Sequence, residues 1–187
     1  MSDTWNTLLK AHRATAPMPT DNAPRHEPKA AILACSDARV PPSVVFGQPA
    51  GSLFIVRIAG NTAVPSAIAS LDYAVANLGV DLIVVMGHTS CGAVAAASAG
   101  TCGGHLEPVV AKICDLTKAW PNAEPDQIAA LNVAKTMETL AEHPGPVGLA
   151  SRVGQLEIQG AIHNLRTGQL ETVAHELHQS LQPLEAL

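Results

Sequence analysis

The segment AAILACSDAR at residues 30–39 begins with small or branched apolar residues and ends with a cysteine, an aspartate and an arginine. The segment LIVVMGHTSCG at residues 82–92 has the same layout and ends with a histidine and a cysteine. Such uninterrupted apolar runs are typical of strands buried in a parallel sheet. Because open α/β sheets bind ligands beyond the carboxyl ends of neighbouring strands, the two segments predict one shared site if their strands are neighbours.

The polar side chains of these segments form a candidate metal site. Cys35, His88 and Cys91 are ligands of the kind that zinc prefers, and a catalytic zinc site leaves its fourth position to water. Asp37, held by Arg39, would accept the hydrogen bond of that water and direct its lone pair towards an electrophile. Asp37 could instead bind zinc directly and close the site. Two plainer readings stay open here, namely cysteines that act as small apolar residues and a structural ion pair.

Composition narrows the class of protein. The hydrophobic fraction of the 187 residues is 47% but aromatic residues make up only 3%, so the core must consist mainly of Ala, Val, Leu and Ile. This length fits a single domain over residues 1–187. The net charge of −5 gives no basic footprint of the kind that nucleic acids select, so we expect no nucleic-acid partner.

The N-terminal residues and the cysteines indicate in which cellular compartment the protein is expected. The first residues lack the basic and apolar regions of a signal peptide, and no apolar run is long enough to span a membrane. We therefore expect a cytoplasmic protein with no membrane partner. In that reducing compartment the cysteines at positions 35, 91, 102 and 114 are expected to serve metal binding or catalysis rather than disulfides. A second metal site at Cys102 and His105 would have too few ligands.

The remaining pattern predicts an α/β fold with a mostly parallel central sheet of four to five strands flanked by helices, of Rossmann-like type. Strands are predicted over residues 29–34, 53–58, 81–86, 155–163 and 170–173. Helices are predicted over residues 4–15, 68–78, 91–99, 107–119 and 126–142, with a helical turn after Pro42, a turn and helix cap at 60–62 and a helical tail from 174. Residues 1–28 are predicted to be a helical arm and a proline-rich linker. Five histidines are expected on the surface: 12, 143, 163, 175 and 178.

The two segments resemble the signature of the β-class carbonic anhydrase family, Cys-x-Asp-x-Arg followed after a second strand by His-x-x-Cys-Gly. The similarity extends over residues 29–40, 53–61, 70–75, 81–93 and 160–168. It implies a zinc enzyme that interconverts carbon dioxide and bicarbonate by attack of zinc-bound hydroxide, assembled as a homodimer or a higher homo-oligomer. In that family the active-site cleft lies at the dimer interface and the N-terminal helix packs on the neighbouring subunit.

By position, the resemblance assigns the zinc ligands and the catalytic pair already named: Cys35, His88 and Cys91, and Asp37 with Arg39. Some family members have a non-catalytic bicarbonate site, built on a tryptophan and an arginine, in which the aspartate closes the zinc site. Here the tryptophan position is Ile32, although Arg57 matches the arginine. We therefore predict an open site with water on zinc.

The resemblance also assigns three substrate contacts. Phe54 would line the carbon dioxide pocket, and the backbone N–H of Gly92 would contact the bound anion. His26 stands where plant-like members carry a glutamine that donates to the substrate, and a neutral imidazole can still donate one hydrogen bond. The tyrosine that lines the pocket of those members has no counterpart between residues 132 and 143.

Two other functions fit the same residues. The family includes hydrolases of carbon disulfide or carbonyl sulfide, which use the same zinc site with a different pocket. A non-catalytic zinc-binding or redox-responsive protein would also need the cysteines and the histidine. Rates on the different substrates separate the first alternative, and activity of the zinc-loaded protein separates the second.

Overall fold

The computed structural model describes residues 2–15, 26–174 and Leu177, and its centre is a five-stranded sheet. The strands are β1 (Ala30–Ala34), β2 (Leu53–Arg57), β3 (Leu82–His88), β4 (Glu157–His163) and β5 (Leu170–Val173). Their order is β2-β1-β3-β4-β5; β5 pairs antiparallel with β4, and the other neighbours run parallel. The predicted α/β fold with a mostly parallel sheet is confirmed.

The helices are α1 (Asp3–Ala14), α2 (Pro42–Val45), α3 (Pro65–Leu78), α4 (Gly92–Ser98), α5 (Glu107–Ala119), α6 (Pro125–Glu142) and α7 (Pro146–Arg152). The sequence does not predict α7, because Pro144 and Pro146 look like helix breakers. Pro146 instead opens the helix, where a missing N–H costs nothing. The predicted cap at residues 60–62 is wrong, because Ala59–Asn61 forms a 3₁₀ turn and α3 starts at Pro65 without a side-chain cap.

Apolar side chains fill one core on each face of the sheet. The first core includes Ile32, Met86 and Ile113 and is covered by α4, α5 and the start of α6. The second core includes Leu33 and Leu71 and is covered by α3, α7 and the end of α6. The two faces arise because successive residues of a strand point to opposite sides. The largest fully buried side chains are aliphatic residues, methionines and one histidine, as the low aromatic content requires.

Cys102 and Cys114 form a disulfide with a Cα–Cα distance of 5.9 Å, which corrects the expectation that all four cysteines are unpaired. The pair forms because α5 packs against α4 and brings Cys114 to the loop that follows α4. This pairing removes Cys102 from any second metal site. The cytoplasmic location stays a prediction from the sequence, and the disulfide weighs against it, because reducing compartments rarely keep disulfides.

The ends of the chain are described in part. Helix α1 is present as predicted and buries none of its residues. The proline-rich linker and the helical tail fall mostly on residues 16–25 and 175–187, which lie outside the described residues apart from Leu177. Among the helices that the structure describes, none combines the length and the apolar character needed to cross a membrane.

Candidate metal centre

The sheet brings the two polar segments together as the sequence predicts. Strands β1 and β3 are parallel neighbours with Ala34 opposite Met86, so Cys35 leaves the sheet next to His88, the last residue of β3. Cys91 follows after a tight turn and is the N-cap residue of α4. The ligand atoms of Cys35, His88 and Cys91 lie within 4.8 Å of one another, and all three residues are buried.

The geometry of this cluster fits a zinc ion. The two sulfur atoms of Cys35 and Cys91 are 3.9 Å apart, and thiolates at about 2.3 Å from a tetrahedral zinc would be about 3.8 Å apart. Nδ1 of His88 lies 2.9 Å from the carbonyl oxygen of Thr89, whereas Nε2 is buried without a hydrogen-bond partner among the described residues. A histidine that donates from Nδ1 keeps Nε2 free as a metal ligand.

The two thiols differ in protonation. The hydrogen bond between the two sulfurs lowers the pKa of Cys35, although burial opposes this shift. The same hydrogen bond, together with burial, raises the pKa of Cys91, which therefore keeps its proton. Burial lowers the pKa of His88, but the interaction with the nearby Cys35 thiolate outweighs it and raises the pKa overall. A metal that binds both sulfurs as thiolates must therefore displace a proton.

Zinc binding to the metal-free protein should release at least one proton near neutral pH, and the affinity should rise with pH. The sign follows from Cys91, whose raised pKa keeps a proton that zinc must displace, so acid opposes binding. Calorimetric titrations in buffers of different ionisation enthalpy would measure the released protons. An affinity that stays constant between about pH 6 and pH 8 would contradict the assigned protonation.

Asp37 lies beside the cluster and is engaged by Arg39. The guanidinium donates from Nε to Oδ1 at 2.9 Å and from Nη2 to Oδ2 at 2.6 Å, and the backbone N–H of Arg39 also donates to Oδ1. These hydrogen bonds hold the pKa of Asp37 well below its usual range, so the carboxylate is ionised. Oδ2 lies 3.9 Å from Nε2 of His88. The carboxylate is therefore fixed in direction at the edge of the cluster.

The two loops that carry the ligands are held by residues that the sequence analysis did not select for this role. Arg57 donates from Nε to the carbonyl oxygen of Cys35 at 2.9 Å and from Nη2 to the carbonyl oxygen of Asp37. The backbone N–H of Ser90, which has a positive φ of 54°, donates to Oδ1 of Asp126 at 2.8 Å. Spacing alone could not show this, because an arginine at a strand end and an acid in a first helical turn are common.

Replacement of Arg57 by alanine should lower both zinc affinity and activity by about tenfold or more, because the Cys35–Asp37 loop loses two hydrogen bonds that fix it. Arg152 is a matched control, since its guanidinium also donates to two backbone carbonyls, those of Ala141 and His143. Arg152→Ala should leave zinc affinity unchanged. Chelator competition on both variants is the measurement, and equal affinities would contradict the role of Arg57.

The assigned substrate contacts do not all lie beside the metal ligands. Phe54 is opposite Ala31 in the register of β1 and β2, about 10 Å along the strand from the end that carries Cys35. It packs against the second core, on the other face of the sheet. The Phe54 ring lies 5.9 Å from the ring of His26 and 6.3 Å from the ring of Tyr73, measured between centroids. These three residues form an aromatic cluster.

Gly92 and His163 also lie close to the metal ligands in the sequence or in the sheet. Gly92 opens α4 directly after Cys91, and no heavy atom of the described residues, apart from its chain neighbours and its own helix, lies within 4 Å of the position a Cβ would take there. His163 is not the surface histidine that the sequence suggested. It lies opposite His88 in the register of β3 and β4, and its Nδ1 atom is buried without a partner among the described residues.

Comparison with known proteins identifies relatives of the whole region that carries the site. Residues 30–170 match a family model described as "Carbonic anhydrase". A carbonic anhydrase of Pseudomonas aeruginosa is 33% identical over 167 residues, which covers 81% of this chain and 76% of the relative. Carbonic anhydrase 2 of Mycobacterium tuberculosis is 35% identical over 150 residues, 76% of this chain and 72% of the relative. A tetrameric β-carbonic anhydrase structure from Sordaria macrospora has a TM-score of 0.81 at 25% identity and covers 92% of this chain and 98% of its own.

Proposed function

Because the chain belongs to the β-carbonic anhydrase family, we propose that it catalyses the zinc-dependent, reversible hydration of carbon dioxide to bicarbonate and a proton. The observation that carries the proposal is the buried cluster of Cys35, His88 and Cys91, which has the right atoms and spacing for zinc. The fixed, ionised carboxylate of Asp37 beside it supplies the acceptor that the reaction needs.

The residues of the site have different roles in the proposed reaction. Cys35 and Cys91 through their sulfurs and His88 through Nε2 would hold zinc, which when bound acts as a Lewis acid and lowers the pKa of water. Asp37 accepts a hydrogen bond from the attacking water and directs its lone pair towards the carbon of carbon dioxide. Arg39 engages both oxygens of this carboxylate, which supports an open site in which Asp37 is not a metal ligand.

We further propose that a second copy of the chain completes the substrate pocket, in a homodimer or a higher homo-oligomer. In the aromatic cluster of His26, Phe54 and Tyr73, Phe54 lies about 10 Å along the strand from the end that carries Cys35 of its own chain, and Tyr73 is 50% exposed. Helix α1 also exposes Trp5 and Leu8. Both surfaces suit contact with a partner, so that His26 and Phe54 of one protomer would line the carbon dioxide pocket of the other, with Gly92 contacting bicarbonate.

Stopped-flow hydration of carbon dioxide by the zinc-loaded protein tests the proposed reaction. We expect hydration that accelerates with rising pH, because deprotonated water is the nucleophile. Hydrolysis of carbonyl sulfide and carbon disulfide, measured on the same sample, should be slower by orders of magnitude. Faster turnover of either sulfur compound would assign a different substrate, and a zinc-loaded protein inactive on all three would be non-catalytic.

A further inference from the structure

Gly60 lies between a proposed zinc ligand and helix α6. Its backbone N–H donates to Sγ of Cys35 at 3.4 Å. Its carbonyl oxygen accepts a hydrogen bond of 2.7 Å from Nδ2 of Asn132, a residue of α6 that is only 2% exposed. One glycine therefore connects a buried amide to a sulfur of the metal centre.

The turn that contains Gly60 has two consecutive residues with a positive φ. Gly60 has a positive φ of 72°, and Asn61 follows with a φ of 46°. A Cβ at Gly60 would lie 2.7 Å from Cδ1 of Ile113 and 3.2 Å from Cβ of Ala93. Residues in the left-handed region persist where their surroundings hold them. The direction of the Gly60 N–H therefore depends on the contacts that fix this turn.

Asn132 is a buried polar residue of α6. Its neighbours Leu131 and Val133 are buried without measurable exposure. A buried amide is costly unless it is hydrogen-bonded, and the donor bond that Asn132 makes goes to Gly60. An aliphatic residue would satisfy the packing of this helix but could not bind the Gly60 carbonyl oxygen.

We propose that Asn132 is a positioning residue of the zinc centre, which holds the Ala59–Asn61 turn so that the Gly60 N–H donates to Sγ of Cys35. Hydrogen bonds to metal ligands fix their orientation, and loss of such support typically weakens metal binding by about 10–100-fold. The inference rests on the zinc site of the proposed function and is independent of the reaction carried out there.

Asn132→Leu tests the proposal because leucine has a similar volume and no donor. Zinc affinity from chelator competition should fall by about tenfold or more, and the thiolate-to-metal absorption band of the cobalt-substituted protein should shift. Thr136→Val is the matched control, since Thr136 lies one turn further along α6 and is 4% exposed. The control should keep the wild-type affinity and spectrum. If the role of Asn132 were merely structural, Asn132→Leu would keep them as well.

Wild-type affinity and an unshifted cobalt band in Asn132→Leu would overturn the proposal. If that variant does not fold, Asn132→Ser decides, because serine is polar but too short to reach the Gly60 carbonyl oxygen, and the same loss of affinity is expected. A wild-type protein that binds no zinc would instead refute the proposed function. The two failures are therefore distinguishable.

Discussion

Replacement of Cys91 by serine should give a folded protein that holds almost no zinc and has lost its carbon dioxide hydration activity. Zinc sites in small proteins are worth about 10–16 kcal/mol, so one of four ligands contributes roughly 3–4 kcal/mol. Its loss should weaken zinc binding by about two to three orders of magnitude. Folding should survive, because Cys91 is the N-cap of α4 without a side-chain cap bond, and serine is a favoured N-cap residue.

The other two cysteines provide a control for this result. Cys102→Ser/Cys114→Ser removes two sulfurs that form a disulfide and are not part of the metal cluster. The double variant should keep one zinc per chain and near-normal activity, while its free energy of unfolding should fall by about 2–4 kcal/mol. Elemental analysis of both proteins is the measurement. Zinc retained by Cys91→Ser, or lost from the double variant, would place the metal elsewhere.

Replacement of Asp37 by asparagine should lower kcat/KM by about two to three orders of magnitude while zinc content stays at the wild-type level. An amide has one acceptor oxygen, and its NH₂ group would face the donating guanidinium of Arg39, so the fork that fixes the side chain is lost. The variant would then neither accept nor orient the attacking water. Stopped-flow hydration combined with zinc analysis measures the two effects separately.

Asp126→Asn is the matched control for this substitution. Asp126 also lies beside the site, but it accepts the Ser90 N–H through one oxygen, and an amide oxygen can do the same. We expect a change in kcat/KM of less than about threefold. Equal losses in the two variants would mean that negative charge near the site, rather than the acceptor at Asp37, sustains the reaction.

The metal cluster was predictable because each of its ligands lies in a short segment whose own sequence indicates a strand followed by polar residues. Each apolar run predicts a buried strand, and each strand places its next polar residues at the same edge of the sheet. Cys35 and His88 needed no further knowledge once β1 and β3 proved to be neighbours. Asp37 and Arg39 are two residues apart in the sequence, so their ion pair was also within reach of the sequence pattern.

The residues that support the cluster were not predictable, because their contacts join distant parts of the chain. Asn132 is 72 residues from Gly60, and Arg57 is 22 residues from Cys35. The disulfide of Cys102 and Cys114 likewise depends on how α5 packs, which no local pattern encodes. The sequence does place Asn132 between Leu131 and Val133, but only the burial of Asn132 shows that its amide needs a partner.

The residues of the substrate pocket could be predicted from the sequence only in part. Phe54 and His26 are neighbours, as a shared pocket requires, yet the register of β1 and β2 keeps Phe54 away from the metal ligands of its own chain. Tyr73 joins them from α3, which lies far in the sequence from residues 132–143, where the resemblance places a pocket tyrosine. A single sequence does not show which side chains a second copy would contribute.

Titration of zinc into the metal-free protein, with carbon dioxide hydration measured at each addition, tests the central claim most directly. The Cys35–His88–Cys91 cluster predicts that activity is absent without zinc, rises in proportion to bound zinc and stops rising at one zinc per chain. Hydration above the uncatalysed rate in the absence of zinc, or a protein that binds one zinc per chain and remains inactive, would contradict it.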